Sequence, residues 1–299
     1  MTAELSATAT IIRDLSALPT MYVLMSLNEY MTHRYFQHLE FNRPESLQWL
    51  KAIIARVTGD PVPPKFKGDG HVEHHAETYD DMSLKNDERW RGTAASKSLD
   101  DDMWRGTAFH WSATLIMTTQ MLPSVLPTYA LMGWSLPETF AILLPSMLVH
   151  AIVWNAVHPP MHGLAPVSLN AGFGTGGTDI GAKFSEWLLE TRYAHYIFEN
   201  HMGHHVLGGQ ANYNVCCPLT DHLLGTYVPT EQWQPKMRPL PVNAETRGDV
   251  VSPEGVPQLP TREEFEATKA LRKQMRETAP AAISGGGAII ADAYSEVGI

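Results

Sequence analysis

Residues 108–162 read AFHWSATLIMTTQMLPSVLPTYALMGWSLPETFAILLPSMLVHAIVWNAVHPPMH. Two apolar runs flank a short turn, and between Arg105 and Asp179 the only formally charged residue is Glu138. A helical passage of a bilayer needs about 20 mostly apolar residues, so the stretch is long enough for two. We expect membrane helices over 108–132 and 138–157, joined around Gly133 and Pro137. Pro123 and Pro127 are tolerable there, because neighbouring helices satisfy the carbonyls that a proline frees. The joining turn carries no Lys or Arg, whereas Arg105 precedes the first helix and Lys183 and Arg192 follow the second. The positive-inside rule then puts the turn outside and both outer ends in the cytoplasm.

Working outward, residues 15–28 form an uncharged run that continues as a helical pattern, giving a third expected membrane helix over 15–36. Arg34 and Arg43 follow the uncharged run, on the cytoplasmic side. A half-buried core helix is the alternative for this segment. PESLQWLKAIIARVT (44–58) is an amphipathic pattern with Leu47, Leu50, Ile54 and Val57 on one side. Residues 59–70 are turn-rich, 76–105 are polar, and 163–181 are Gly-rich. WRGTA occurs at 90–94 and again at 104–108, a local duplication rather than a repeat architecture. Residues 182–205 read as one amphipathic helix, and a capping box at Thr261 and Glu264 predicts another over 262–277. The fold class is therefore all-α: an integral membrane helical bundle with a cytoplasmic, histidine-rich helical cap. Its domain runs over 11–228, between a disordered stretch at 1–10 and a polar tail at 229–299.

A net charge of -10 argues against a nucleic-acid partner, which would require basic patches. The two cysteines, Cys216 and Cys217, are adjacent and supply no disulfide framework; two buried, inert thiols are expected. Arg13 and Asp14 precede the first apolar run and no small-residue cleavage pattern follows it, so no signal peptide is expected.

Ten of the 14 histidines fall into four clusters: His33 and His38; His71, His74 and His75; His158 and His162; and His201, His204 and His205. Two clusters share the pattern H-x-x-H-H. Residues at i, i+3 and i+4 lie on one helix face, so three clusters can each converge. His33 and His38 are five apart and converge only near a helix end or a kink. The hairpin leaves the cytoplasm and returns, which places all four clusters on one membrane face. Ten imidazoles exceed the needs of one metal, since structural zinc takes four ligands. Two ions are the economical reading, and imidazole alone does not choose among iron, zinc, copper and nickel.

HRYFQH (33–38), HVEHH (71–75), HPPMH (158–162) and HMGHH (201–205), in that order around an apolar hairpin, resemble the fatty acid hydroxylase/sterol desaturase superfamily of membrane di-iron enzymes. NYNVCCPLTDHLLGTY (212–227) is similar to the closing segment of that family through Asn212, Tyr213, Asp221, Gly225, Thr226 and Tyr227. The likeness covers residues 29–228, and the four-residue gap between His33 and His38 resembles the fatty acid 2-hydroxylase branch. The gaps from His38 to His71 and from His162 to His201 are longer than in that branch. Asn214 stands where a small residue is usual, and the HPGG signature of a fused cytochrome b5 domain is missing. The resemblance implies two iron ions on the ten histidines, with zinc as a substitute in purified protein, and O2 as co-substrate. It implies electrons from an external donor, a cytochrome b5-type protein or a ferredoxin with its reductase, and hydroxylation of an unactivated C–H bond of a lipid acyl chain. It also implies an integral membrane location, the endoplasmic reticulum in a eukaryote. Sterol or carotenoid oxidation, desaturation and aldehyde deformylation are alternative outcomes of the same chemistry. A non-catalytic, histidine-rich membrane metal-binding protein is the alternative outside enzymes.

Further residues are candidates to support the ligands. Glu29, one turn before His33, and Asp221 are placed to orient imidazoles, as carboxylates behind a metal shell do. His150 lies two turns before His158, and an ionisable group at membrane depth invites a functional reading as much as a structural one. His195 competes as a supporting residue or a replacement ligand, and His222 follows Asp221. His110 is expected at the interface. Trp111, Trp154 and Phe109 are candidates for a substrate passage, with interfacial packing the commoner role. GFGTGG (172–177) matches a dinucleotide fingerprint by letters, but it follows no strand and is read as a loop.

Overall fold

The computed structural model describes residues 7–62, 64–66, 71–84, 107–108, 111–163 and 179–240, all within one compact unit. Among these residues the chain is helical, with an isolated bridge between Thr78 and Leu84 as its extended pairing. The expected helix over 262–277, GFGTGG, the first WRGTA and the residues Phe109 and His110 lie outside the described residues, as does the side chain of Trp111.

Helix α1 spans Ala7–Met31, so residues 7–10, expected to be disordered, form its first turn. A π-helical turn, Thr32–Gln37, continues it directly. That turn answers the five-residue gap: the His38 amide donates to the His33 carbonyl at 3.0 Å, the i to i+5 bond that defines a π turn. Two histidines that an α-helix would splay are thereby stacked on one side.

The amphipathic segment forms α2, Gln48–Thr58, ended by Gly59 at φ 71°. A short helix, α3 (His71–Glu77), carries the second cluster. The hairpin is α4 (Trp111–Leu131) and α5 (Leu136–Met161). Glu138, the lone charge of the apolar stretch, belongs to a capping box at the head of α5: its Oε2 accepts from the Ser135 amide at 2.7 Å and from the Ser135 hydroxyl at 2.5 Å. Among the described residues only α5 is long and apolar enough to cross a membrane, with a mean hydropathy of 1.8. Charges at Arg13, Asp14 and Glu29 in α1, and the Thr, Gln, Ser and Pro content of α4, keep the other two expected spans below that measure.

Residues 182–205, expected as one helix, divide into α6 (Asp179–Leu189) and α7 (Arg192–Val206). Thr191 causes the break: its backbone is extended and its hydroxyl accepts the Ala194 amide at 3.2 Å, an N-cap that starts a new helix. Short helices α8 (Leu219–Leu224) and α9 (Thr230–Trp233) close the described chain.

Two apolar clusters hold these elements. One packs Met21 and Met25 of α1 against Met121, Val125 and Tyr129 of α4, Leu143 and Met147 of α5, and the segment Val215 to Cys217. The Tyr129 hydroxyl donates to the Ala17 carbonyl at 2.5 Å, tying α4 to α1. The other packs Val157 and Met161 of α5 against Leu188, Ile197, Phe198, Met202 and Trp233. Outside the first cluster, Ile11, Leu15 and Leu18 of α1 and Leu144, Leu148 and Val149 of α5 are exposed apolar side chains.

Candidate metal centre

The four histidine segments, spread over residues 33–205, meet between the ends of α1 and α5 and the faces of α3 and α7. They sort into two groups. In the first, His33, His38, His71, His75 and His204 each bring a ring nitrogen within 4.8 Å of all the others. His74, His158, His162 and His201 do the same in the second, and His205 Nε2 lies 3.2 Å from His201 Nε2. The two groups abut where the rings of His75 and His205 stack, with centroids 4.1 Å apart.

The tautomers are fixed from behind. Nδ1 of His158 donates to the Thr107 carbonyl at 2.5 Å, that of His162 to Met82 at 2.9 Å, and that of His204 to Ala211 at 2.7 Å. His33 Nδ1 donates to the carbonyl of Tyr213. A neutral imidazole has one proton, and here it is spent on Nδ1, so Nε2 keeps its lone pair. These Nε2 atoms face one another. His33 is 2.8 Å from His71, His38 is 2.9 Å from His204, and His71 is 3.1 Å from both His38 and His75. In the second group His158 is 2.7 Å from His201 and 3.3 Å from His162.

Both His158 and His162 turn lone pairs toward each other at 3.3 Å in a buried space, which repel unless a cation lies between them, and the other contacts are equally short. Two nitrogens bound at right angles to an ion at about 2.1 Å stand about 3.0 Å apart. The observed spacings are those of ligand edges, so the residues fit a pair of metal ions. Five nitrogens in the first group exceed the four of tetrahedral zinc and suit an ion of higher coordination number. Burial first, and then repulsion from neighbouring imidazoles, pushes His38, His71, His74, His75, His162, His201 and His205 well below the ordinary 6.5. His204 is lowered in the same way, partly countered by its bond to Ala211. All are neutral at pH 7, the ligating form.

Backbone geometry makes room for the rings. Gly209 has φ 73°, and a Cβ there would lie 2.2 Å from Cε1 of His38. At Gly203, inside HMGHH, a Cβ would meet Trp233 at 2.6 Å and Asn212 at 2.7 Å. The sequence reading passed over both, although the Gly208–Gly209 pair just beyond α7 is a visible stop signal. It also passed over Glu77, which is fully buried with Oε1 4.0 Å from His74 Nδ1. The carbonyls of Thr107, Met82, Ala211 and Tyr213 have no sequence signature at all, since every residue carries one.

The supporting candidates separate. Glu29 spends its hydrogen bonds away from the cluster histidines: Oε1 accepts from the amides of Val215 at 3.1 Å and Cys216 at 2.7 Å, and Oε2 from Cys217 at 2.8 Å. Asp221 likewise holds backbone, accepting from Tyr213 at 3.0 Å and Asn214 at 2.6 Å. Both carboxylates therefore fix the loop whose Tyr213 carbonyl holds His33, one link further from the ring than expected. Asn214 completes that knot, donating to the Ser26 carbonyl at 2.8 Å and accepting from the Asp221 amide at 3.0 Å. This is a role that the usual small residue would not fill. His150 is buried beside Glu29 and outside both groups. His195 is half-buried and away from the groups, and His222 is exposed, its Nε2 2.5 Å from the Tyr196 hydroxyl. Trp154 donates to the Thr107 carbonyl at 3.0 Å and lies against His158 with ring centroids 4.7 Å apart, so it packs the site from behind.

Compared with known protein families, curated proteins and solved structures, the chain matches none.

Proposed function

We propose that this chain is a membrane-bound di-iron oxygenase that hydroxylates an unactivated C–H bond of a lipid acyl chain. The observation that carries the reading is the convergence of two groups of imidazoles, their Nε2 atoms 2.7 to 3.3 Å apart, with the Nδ1 protons of His33, His158, His162 and His204 committed to carbonyls. A loose metal store has no need of tautomers fixed by carbonyls contributed from distant segments, and this favours a catalytic centre over storage. Two iron ions bound there supply the oxidation of R–H by O2, with two electrons and two protons from outside, to R–OH and water.

The rest falls to the protein. The carbonyls of Thr107, Met82, Ala211 and Tyr213 aim four rings, and rigid aim is what a reactive metal pair needs from its surroundings. The second group is fully buried, and His33, His71 and His204 of the first are too, which limits bulk water and protects an oxidising site from side reactions. The exposed apolar residues of α1 and α5 suit acyl chains as their surroundings, and larger exposed apolar patches mark membrane or partner contact. Arg34 and Arg43 follow the first apolar run beside His33 and His38, in keeping with a cytoplasmic site served by a soluble or b5-type electron donor.

The test is metal analysis of protein purified in lipid nanodiscs, followed by turnover with NADH, a reductase and 18O2. The expected result is two irons per chain and one 18O atom in a hydroxylated acyl chain. His74→Ala should lose both the second ion and the product. Unchanged iron and product in that variant would refute the proposal.

A further inference from the structure

Between α1 and α5, on the lipid-facing side, lies a cavity of ≈ 480 Å³. The volume is in the range of about 300–1,000 Å³ that takes small molecules. No cluster histidine lines it, so it is separate from the metal centre. Leu18, Met21 and Met25 on α1 and Val149 and Val153 on α5 make its wall apolar. The outer residues of that wall, Leu18 and Val149, are 68% and 58% exposed, so the mouth opens where lipid would be.

The inner end is polar. His150 is 4% exposed, lines the cavity, and its Nε2 has no hydrogen-bond partner among the described residues. Glu29 Oε1 stands 3.6 Å from that nitrogen, within ion-pair reach of a protonated ring but beyond hydrogen-bond length. Glu29, His150 and Cys216 would pass for a third metal site by proximity alone. The carboxylate does not have the capacity, because each of its oxygens already accepts two N–H groups: Val215 and Cys216 on Oε1, Cys217 and the Asn214 side chain on Oε2. What remains available is His150.

We propose that this cavity binds a neutral single-chain amphiphile drawn from the bilayer, with its hydroxyl at His150 Nε2 and its alkyl chain between α1 and α5. An alkane would leave the buried nitrogen unsatisfied. A carboxylate or phosphate would face the Glu29 carboxylate with no Lys or Arg in the lining. A hydroxyl serves either tautomer of His150, as donor or acceptor. The proposal rests on the membrane reading of α1 and α5 and is independent of the oxidation chemistry.

The experiment uses the full chain in phosphatidylcholine nanodiscs and a long-chain 1-alkanol carrying a diazirine near its methyl end, with crosslinks mapped by mass spectrometry. Label is expected on residues 18–25 and 145–153 and is displaced by excess plain 1-alkanol. The matching alkane and carboxylate should compete about ten-fold less well, the worth of one net hydrogen bond, and His150→Phe should erase that preference. Ser146→Phe and Val149→Trp, which fill the cavity, should each cut labelling at least ten-fold at unchanged metal content and melting temperature. Labelling that resists competitor, that survives both filling variants, or that the carboxylate displaces equally well would overturn the proposal. Failure of the oxidation reading shows instead as absent iron or absent product, which the labelling does not need.

Discussion

Acidification should dismantle the metal-free site before the rest of the protein. His71, His74, His162, His201, His204 and His205 are all less than 9% exposed and all held well below the ordinary 6.5. The sign follows from linkage. Below 6.5 the unfolded chain binds protons that the folded chain refuses, so stability falls as pH falls through that value and is unaffected above it. At about pH 5.5, one unit below the unfolded value, each such group costs about 1.4 kcal/mol. Six of them cost about 8 kcal/mol, comparable with the total stability of about 5–15 kcal/mol of an ordinary domain. The loss falls on α3 and α7, which carry five of the six, while α4 carries none. Hydrogen exchange of metal-stripped protein in nanodiscs, followed from pH 7.5 to 5, should show amides of α3 and α7 losing protection below 6.5 while those of α4 keep it. Restoring metal should move that transition to lower pH, because bound ions hold the same lone pairs against protons. Protection of α3 and α7 that stays flat over this range without metal would refute the assignment of these rings as buried and neutral.

Three further outcomes follow from particular contacts. Gly209→Ala places a methyl where His38 lies and strains a left-handed residue, so metal analysis should show the first ion lost or weakened at least ten-fold with the second retained. Glu29→Gln replaces an acceptor of four N–H groups by one whose amide opposes two of them; at about 1.5–3 kcal/mol per charged bond it should lower the melting temperature by roughly 10 °C, with metal content kept. His195→Ala and His222→Ala should leave both ions and the melting temperature within error, since neither ring reaches the groups; loss of an ion from either variant would reopen the ligand set.

The helical class and the ten histidines were legible in the sequence because both are periodic signals. Apolar runs announce helices, and H-x-x-H-H announces a face. Legibility failed where structure depends on a single side chain or on backbone. Thr191 splits 182–205 because one hydroxyl caps a new helix, and an amphipathic pattern running straight across it gives no warning. Glu29 and Asp221 are legible as candidates to orient imidazoles, and the structure puts them one link further from the rings. Their role is to hold amides of the loop 213–217, and amides have no letter in a sequence. The His33–His38 gap was legible as a difficulty, and the π turn is its resolution.

The two H-x-x-H-H motifs are used in opposite senses, and this explains why the pattern occurs twice. In α3 the i, i+4 pair His71 and His75 serves the first group, and the middle residue His74 crosses to the second. In α7 the i, i+4 pair His201 and His205 belongs to the second group, and the middle residue His204 crosses to the first. The remaining histidines divide the same way, His33 and His38 from the π turn after α1 to the first and His158 and His162 from the end of α5 to the second. Each group is thus one pair from a long helix, one i, i+4 pair and one crossing histidine. A helix that ligated both proposed ions would fix their separation by its own rigid pitch, and two such helices would fix it twice. On the two-ion reading the spacing is written in α3 and α7, and a one-residue insertion between His71 and His74 should cost both sites together where loss of His38 costs one.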